Sequence, residues 1–208
     1  MKKTIYMLVF ATIAFSNFSK AQTNKNSEFN LIASGGIGFA NIINEKEPNY
    51  NLNCNSGEIL INYYSRKKNI GIATGFGLTT FTGTGFNQIG NFYQERSVIK
   101  IPLLVTCNYG INEKFKLYSS FGVYTQTIIK DKFQYINLIK NKLYDGWNFG
   151  TQIQIAPYYL LGKNISLGII FNQQSDFSKF KSNSNQLIND KQRIKNLNSF
   201  GVSIAMLL

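Results

Sequence analysis

The sequence contains no histidine, and this removes the commonest general base and the commonest transition-metal ligand. Lipases, deacylases and acyltransferases that rely on a histidine are thereby excluded. Cysteine is nearly as scarce, with Cys54 and Cys107 the only two in 208 residues. Acidic residues number 10 against 22 basic ones and stand singly along the chain. Glu45 and Glu47 with Asn44 and Asn49 offer at most a weak hard-cation site, and a solvated loop accounts for them better. Serines and lysines are plentiful, but no spacing singles out a Ser/Lys dyad. No catalytic residue, metal ligand or cofactor site is assigned. No apolar run reaches the roughly 20 residues that a membrane-spanning helix requires.

What is present begins with an address. Lys2 and Lys3 precede an apolar run over 6–15, and Ser19-Lys20-Ala21 offers a small-residue cleavage site before Gln22. This pattern predicts a cleaved signal peptide over residues 1–21. Residues 22–28 read as a polar lead-in and residues 29–208 as a single domain. Of the formal charge of +12, Lys2, Lys3 and Lys20 carry three units, which leaves +9 on the mature chain.

From Phe29 to Leu208 there are eight stretches of period-two hydrophobicity. Short joints at 66–69, 110–114 and 161–164 alternate with long ones at 43–53, 83–93, 130–144 and 176–194. Amphipathic strands with short turns at one rim and long loops at the other describe an all-β, eight-stranded antiparallel up-and-down transmembrane β-barrel. The fourth stretch shows the alternation best. Ile99, Ile101, Leu103, Val105, Cys107 and Tyr109 share one parity, which should face lipid, while Lys100, Pro102, Leu104, Thr106 and Asn108 share the other. A soluble sandwich would alternate too, but small residues such as Gly36, Gly38, Gly75, Gly77 and Gly122 on the polar parity suit the inside of a narrow barrel. Tyr63, Tyr64, Tyr109, Phe115, Tyr158 and Tyr159 beside the short turns, and Phe92, Tyr93, Tyr144 and Trp147 beside the long loops, read as two interfacial girdles.

The run Ser97-Val98-Ile99-Lys100-Ile101-Pro102-Leu103-Leu104-Val105 followed by Tyr109-Gly110 resembles the IPLL strand of the Bacteroidota outer-membrane β-barrel family that includes PorT-like proteins. Tyr118 to Tyr124 with its central Gly122, Trp147-Asn148-Phe149-Gly150 and Ile165-Ser166-Leu167-Gly168 extend the likeness along the mature chain. The resemblance implies an OmpA-like eight-stranded barrel in the cell outer membrane with its long loops outside, and, more narrowly, an accessory of protein secretion. The chain departs from the usual pattern by ending Ala205-Met206-Leu207-Leu208 rather than in an aromatic residue.

Two features carry the functional expectation. The long loops are basic: Lys130, Lys132, Lys140 and Lys142 oppose Asp131, and Lys179, Lys181, Lys191, Arg193 and Lys195 oppose Asp176 and Asp190, so each loop carries +3. An exported protein seldom meets nucleic acid, so the expected partners are outer-membrane lipid, lipopolysaccharide and an envelope protein, contacted by a monomeric, non-enzymatic barrel. Glu58 and Lys100 fall on the inward parity, and two arrangements suit them: a pair over a glycine floor that includes Gly75 and Gly77, or Glu58 reaching loop water while Lys100 snorkels alone. Tyr118, Tyr124, Leu60, Gln152 and Gln154 should fill the remaining lumen and leave no pore. Cys54 and Cys107 belong to opposite rims and should both be free thiols. Gly83 to Gln88 reads as a flexible outer tip rather than a phosphate loop. The alternative is a soluble secreted β-barrel that binds a small apolar ligand.

Overall fold

The computed structural model describes residues 27–65, 67–183 and 189–208. The expected signal peptide, residues 22–26 of the lead-in and Arg66 lie outside the described residues. The chain forms β1 (Ser27–Asn44), β2 (Tyr50–Ser65), β3 (Ile70–Asn87), β4 (Gly90–Gly110), β5 (Phe115–Gln134), β6 (Ile139–Asn141), β7 (Tyr144–Asp145), β8 (Trp147–Leu160), β9 (Ile165–Asp176), β10 (Phe180–Ser182) and β11 (Lys191–Leu207). Eight of these, in the order β1-β2-β3-β4-β5-β8-β9-β11, make an antiparallel ring, which closes where Asn30 to Asn44 of β1 pair with Leu207 to Gln192 of β11. Closure leaves no ring edge with unpaired backbone groups, which is what spanning a bilayer demands.

The alternation of the sequence is the alternation of the wall. Along β4, Ile99 to Cys107 expose every odd side chain, while Lys100, Pro102, Leu104 and Thr106 are buried. The same holds around the ring, where Ile37, Phe76, Leu78, Leu103, Phe121 and Val202 point outward and are about half or more exposed. An apolar girdle of that extent would cost about 25 cal/mol per Å² in water, and hydrocarbon is the solvent it fits.

Inside, two apolar layers sandwich a polar one. Ile32, Leu60, Ala73, Leu104, Tyr118, Ala156, Tyr158 and Ile170 pack toward the short-turn end. Ala40, Ile42, Leu52, Cys54, Phe81, Phe92, Val98, Phe133, Leu143, Tyr144, Phe180, Ile194 and Leu197 pack at the opposite end. Both cysteines are free, Cys54 buried and Cys107 exposed on the outer wall.

Three expectations need correction. First, the connections at the long-loop rim are mostly strand. The expected loop 83–93 is a hairpin in which Gly83 to Asn87 pair with Gln94 to Gly90 and only Gln88 and Ile89 turn, with Gly90 at φ +132°. The segment Gly83 to Asn87 is therefore ladder rather than flexible tip, and Gln88 alone of the expected tip lies in the turn. The β1 to β2 connection shrinks likewise to residues 45–49. Second, two β-bulges reverse the parity above the lipid belt. Between Ser97↔Lys130 and Val98↔Ile128, β5 carries one extra residue, Ile129. Between Phe39↔Asn198 and Asn41↔Lys195, β11 carries another, where Asn196 adopts φ 51°. Third, Tyr64 and Tyr158 face the lumen, and Phe92 and Tyr144 belong to the upper core, so none of these four is a girdle residue. The outward girdle at the short-turn end is Tyr63, Tyr109, Phe115 and Tyr159; at the other end it includes Trp147 and Phe149.

Candidate functional site

The buried polar residues are arranged in three clusters up the barrel axis. The lowest is built by β2, β4 and β8. Lys100 Nζ lies 2.9 Å from Glu58 Oε1 and donates to Gln152 Oε1 at 2.8 Å. Gln152 Nε2 donates in turn to both Glu58 carboxylate oxygens, at 3.3 and 3.1 Å, and Gln154 Nε2 donates to Glu58 Oε2. Ser120 Oγ closes the far side by donating to Gln154 Oε1 at 3.0 Å. Gly77 of β3 floors the pair: a Cβ there would come within 2.9 Å of Lys100 Cε, so a larger residue would push the lysine side chain aside. Every polar atom of the pair has a partner, and this compensates two charges taken out of water.

The second cluster gathers on Asp176 at the end of β9. Tyr124 Oη and Gln126 Nε2 donate to its Oδ1 at 2.6 and 2.9 Å, and Asn148 Nδ2 and the Ile194 backbone N–H donate to Oδ2 at 3.0 and 2.8 Å. Four donors from β5, β8 and β11 on one carboxylate tie those strands together above the lumen.

The third cluster lies within the upper core. Arg96 of β4 grips Asp131 of β5 in a bidentate pair, Nε to Oδ1 at 2.9 Å and Nη2 to Oδ2 at 3.2 Å, and neither side chain is exposed at all. Gln94 Nε2 adds a 3.0 Å bond to Asp131 Oδ1, and the Tyr144 N–H a 3.1 Å bond to Oδ2. The guanidinium also sits 5.2 Å from the Tyr144 ring centroid. Aromatic and aliphatic side chains surround the pair, so the low local dielectric strengthens it and makes its disruption costly.

The sequence missed Arg96, Asp131 and Asp176 as site residues. Arg96 has the same inward parity as Lys100, so a signal for it existed. Asp131 had none, because the bulge at Ile129 is what turns it inward.

The basic residues expected to meet anions are spread over several elements. Lys130 pairs with Glu95, and Lys179 and Lys191 converge on Glu45 at 2.7 and 3.6 Å. That contact, led by the Lys179 hydrogen bond, holds the Glu45 carboxyl below its ordinary pKa. Asp190 organises the same corner by accepting the N–H groups of Glu45, Lys46 and Glu47. Lys132, Lys140, Lys142 and Lys181 are spread over β5, β6 and β10 and the connection to β7, and Arg193 has its Nε buried without a partner. Above the lipid belt the outer wall turns polar at Thr80, Thr82, Thr84, Glu95 and Ser97, then apolar again at Phe86, Tyr93, Ile136 and Ile139, the last four of which are exposed.

No protein-family model and no curated protein matches the sequence. Among solved structures, the chain is similar to a major outer membrane protein from Thermus thermophilus, at 13% identity over 86% of this chain and 99% of that chain, with a TM-score of 0.57. It is also similar to Neisserial surface protein A, at 11% identity over 88% of this chain and 99% of that chain, with a TM-score of 0.54. These likenesses show the fold, and the fold is the closed up-and-down β-barrel of outer-membrane proteins.

Proposed function

We propose that the protein is a closed, non-enzymatic barrel of the outer membrane that works through the head it raises on the long-connection side. The observation that carries this reading is the continuation of the strands past the lipid belt into a packed, ordered platform. From Leu78 to Asn87 the wall climbs nine residues, which at about 3.3 Å each and a tilt near 40° is about 20 Å of height. That extension encloses the Arg96–Asp131 pair and its apolar core, and such burial fixes the position of whatever the head exposes. The exposed features are the apolar patch of Phe86, Tyr93, Ile136 and Ile139 and the cations Lys142 and Lys181, with Lys132 and Lys140 half-buried. The patch suits an envelope or external protein, and the cations suit lipopolysaccharide phosphates at the outer leaflet. A role as a PorT-like secretion accessory is the narrower form of the same reading and rests on the family resemblance.

The soluble alternative, a secreted barrel holding an apolar ligand, would need an apolar lumen centre, and that centre is filled by the charged and polar Glu58–Lys100 cluster. The test combines location with head chemistry. The protein should fractionate with the outer membrane, need detergent for extraction, and migrate differently on a gel before and after boiling. A Phe86→Ser/Tyr93→Ser/Ile136→Ser variant should keep all three properties and lose the wild-type phenotype. Recovery of the wild type as a detergent-free periplasmic monomer would overturn the reading.

A further inference from the structure

We propose that the short-turn mouth of the barrel is a binding site for a small acidic saccharide. This concerns the end of the molecule opposite the head and goes beyond the function proposed above. The mouth is a vestibule of about 390 Å³, large enough for one or two sugar units and well beyond the size of a lone phosphate. Its floor is the lower apolar layer, and two buried side chains that line it each carry one polar atom without a hydrogen-bond partner among the described residues. Asn62 is fully buried; its Oδ1 accepts from Thr106 Oγ1 at 2.9 Å, and its Nδ2 has no partner. Turning the amide over would satisfy Thr106 with the other end and still leave one end unpaired. Tyr118, 2% exposed, has Ser120 nearby but no hydrogen bond of normal geometry at its Oη. An unmade bond on a buried amide or phenol costs about 1–3 kcal/mol, so a fold that keeps two of them beside one cavity gains when a ligand supplies the acceptors.

The wall and rim define the ligand further. Tyr158 is held by its hydroxyl to Ser203 at 2.6 Å and lines the cavity beside Tyr118, and the amide of Asn30 lies along the same surface. Aromatic rings interleaved with amides suit a ring that carries both apolar faces and hydroxyls. At the rim stand Lys116 and Lys163, exposed and without an ion pair among the described residues, against the carboxylate of Glu28, which has a partner of its own. Two cations with nothing to neutralise, set above two buried hydrogen-bonding groups, call for a carboxylate at the outer end of the ligand and hydroxyl or carbonyl oxygens at the inner end. In a barrel whose short turns face the periplasm, such a ligand comes from the cell-wall side.

Two probes that differ by one carboxylate test this. The folded protein in detergent micelles would be titrated with N-acetylmuramic acid and with N-acetylglucosamine, following the amide resonances. Saturable shifts centred on Asn62, Tyr118 and Lys116 are expected, with the acidic sugar bound about tenfold tighter. Lys116→Ala/Lys163→Ala, at exposed positions that leave the gel shift on boiling intact, should bring that ratio to about one. Asn62→Ala should weaken both sugars. Shifts that do not saturate, equal affinity for the two sugars, a preference that survives loss of both lysines, or the same saturation with inorganic phosphate would each overturn the proposal. Binding that appears only in a chain beginning at Ser27 would overturn it as well, because the chain's own lead-in would then be the occupant.

Discussion

Glu58 keeps two amide donors, from Gln152 and Gln154, when Lys100 is removed, whereas Lys100 without Glu58 keeps only the Gln152 carbonyl oxygen and the face of Tyr124, 5.6 Å away. The two halves of the bridge should therefore differ in what their loss costs. Glu58→Gln leaves an uncompensated ammonium between apolar layers and should destabilise the barrel by about 3 kcal/mol or more. Lys100→Met removes a charge and leaves a carboxylate that is still hydrogen-bonded, so its cost should be smaller. The double variant should lose less than the sum, with a coupling of at least about 1 kcal/mol in a urea-unfolding cycle. Strict additivity would show that the 2.9 Å contact contributes no interaction energy. Gly77→Ala gives a control from the floor side. Its added methyl would press on Lys100 Cε at 2.9 Å and should weaken the bridge without touching either charge.

At the scale of the element, the strands were legible wherever one face meets lipid, because period-two alternation needs only an apolar solvent on one side to become visible. The short turns at 111–114 and 161–164 were legible for the same reason, as interruptions of a strict pattern. Above the belt both faces change character. The outward face becomes Thr80, Thr82, Thr84 and Ser97, the inward face becomes Phe81, Phe92 and Phe133, and the apolar parity that marks a membrane strand is reversed. A sequence scan for lipid-facing alternation stops there and reads loop where the ladder in fact continues. The Glu58–Lys100 pair could be seen because both residues lie in unbroken alternation. Asp131 could not, since Ile129 adds one residue and turns it inward. Deleting Ile129 should thus let Lys130 follow Ile128 directly opposite Ser97, straighten β5 and leave Asp131 inward against Arg96. The expected outcome is a barrel that still folds and shifts on boiling and whose head resists protease as the wild type does. New cleavage near 133–146 after the deletion would mean that the bulge does more than set the register of the Arg96–Asp131 pair.

For the whole molecule, the stacking of apolar, charged and apolar layers decides whether the barrel conducts. Eight strands enclose an interior about wide enough for side chains to fill, and here the filling is triple. Tyr118, Leu60 and Leu104 close the lower level, Lys100 with Glu58, Gln152 and Gln154 the middle, and Phe81, Phe92, Phe133 and Phe180 the upper. Each layer would have to open for ions to pass, and the middle one is held by a closed set of hydrogen bonds. The purified protein should show no long-lived, reproducible conductance steps in planar bilayers. Because the closures are in series, removing one should not suffice. Phe81→Ala/Phe133→Ala should loosen the head and lower thermal stability, since two buried aromatics at about 3–5 kcal/mol each are lost, and should still leave the bilayer silent. Joint removal of the middle layer, by Glu58→Ala/Lys100→Ala in that background, should still leave the lower layer closed, so current is expected only when Leu60→Ala/Tyr118→Ala is added. Stable channels in the wild type would show that the layers are not closures at all. Channels in the head variant alone would show that the upper layer is the only one.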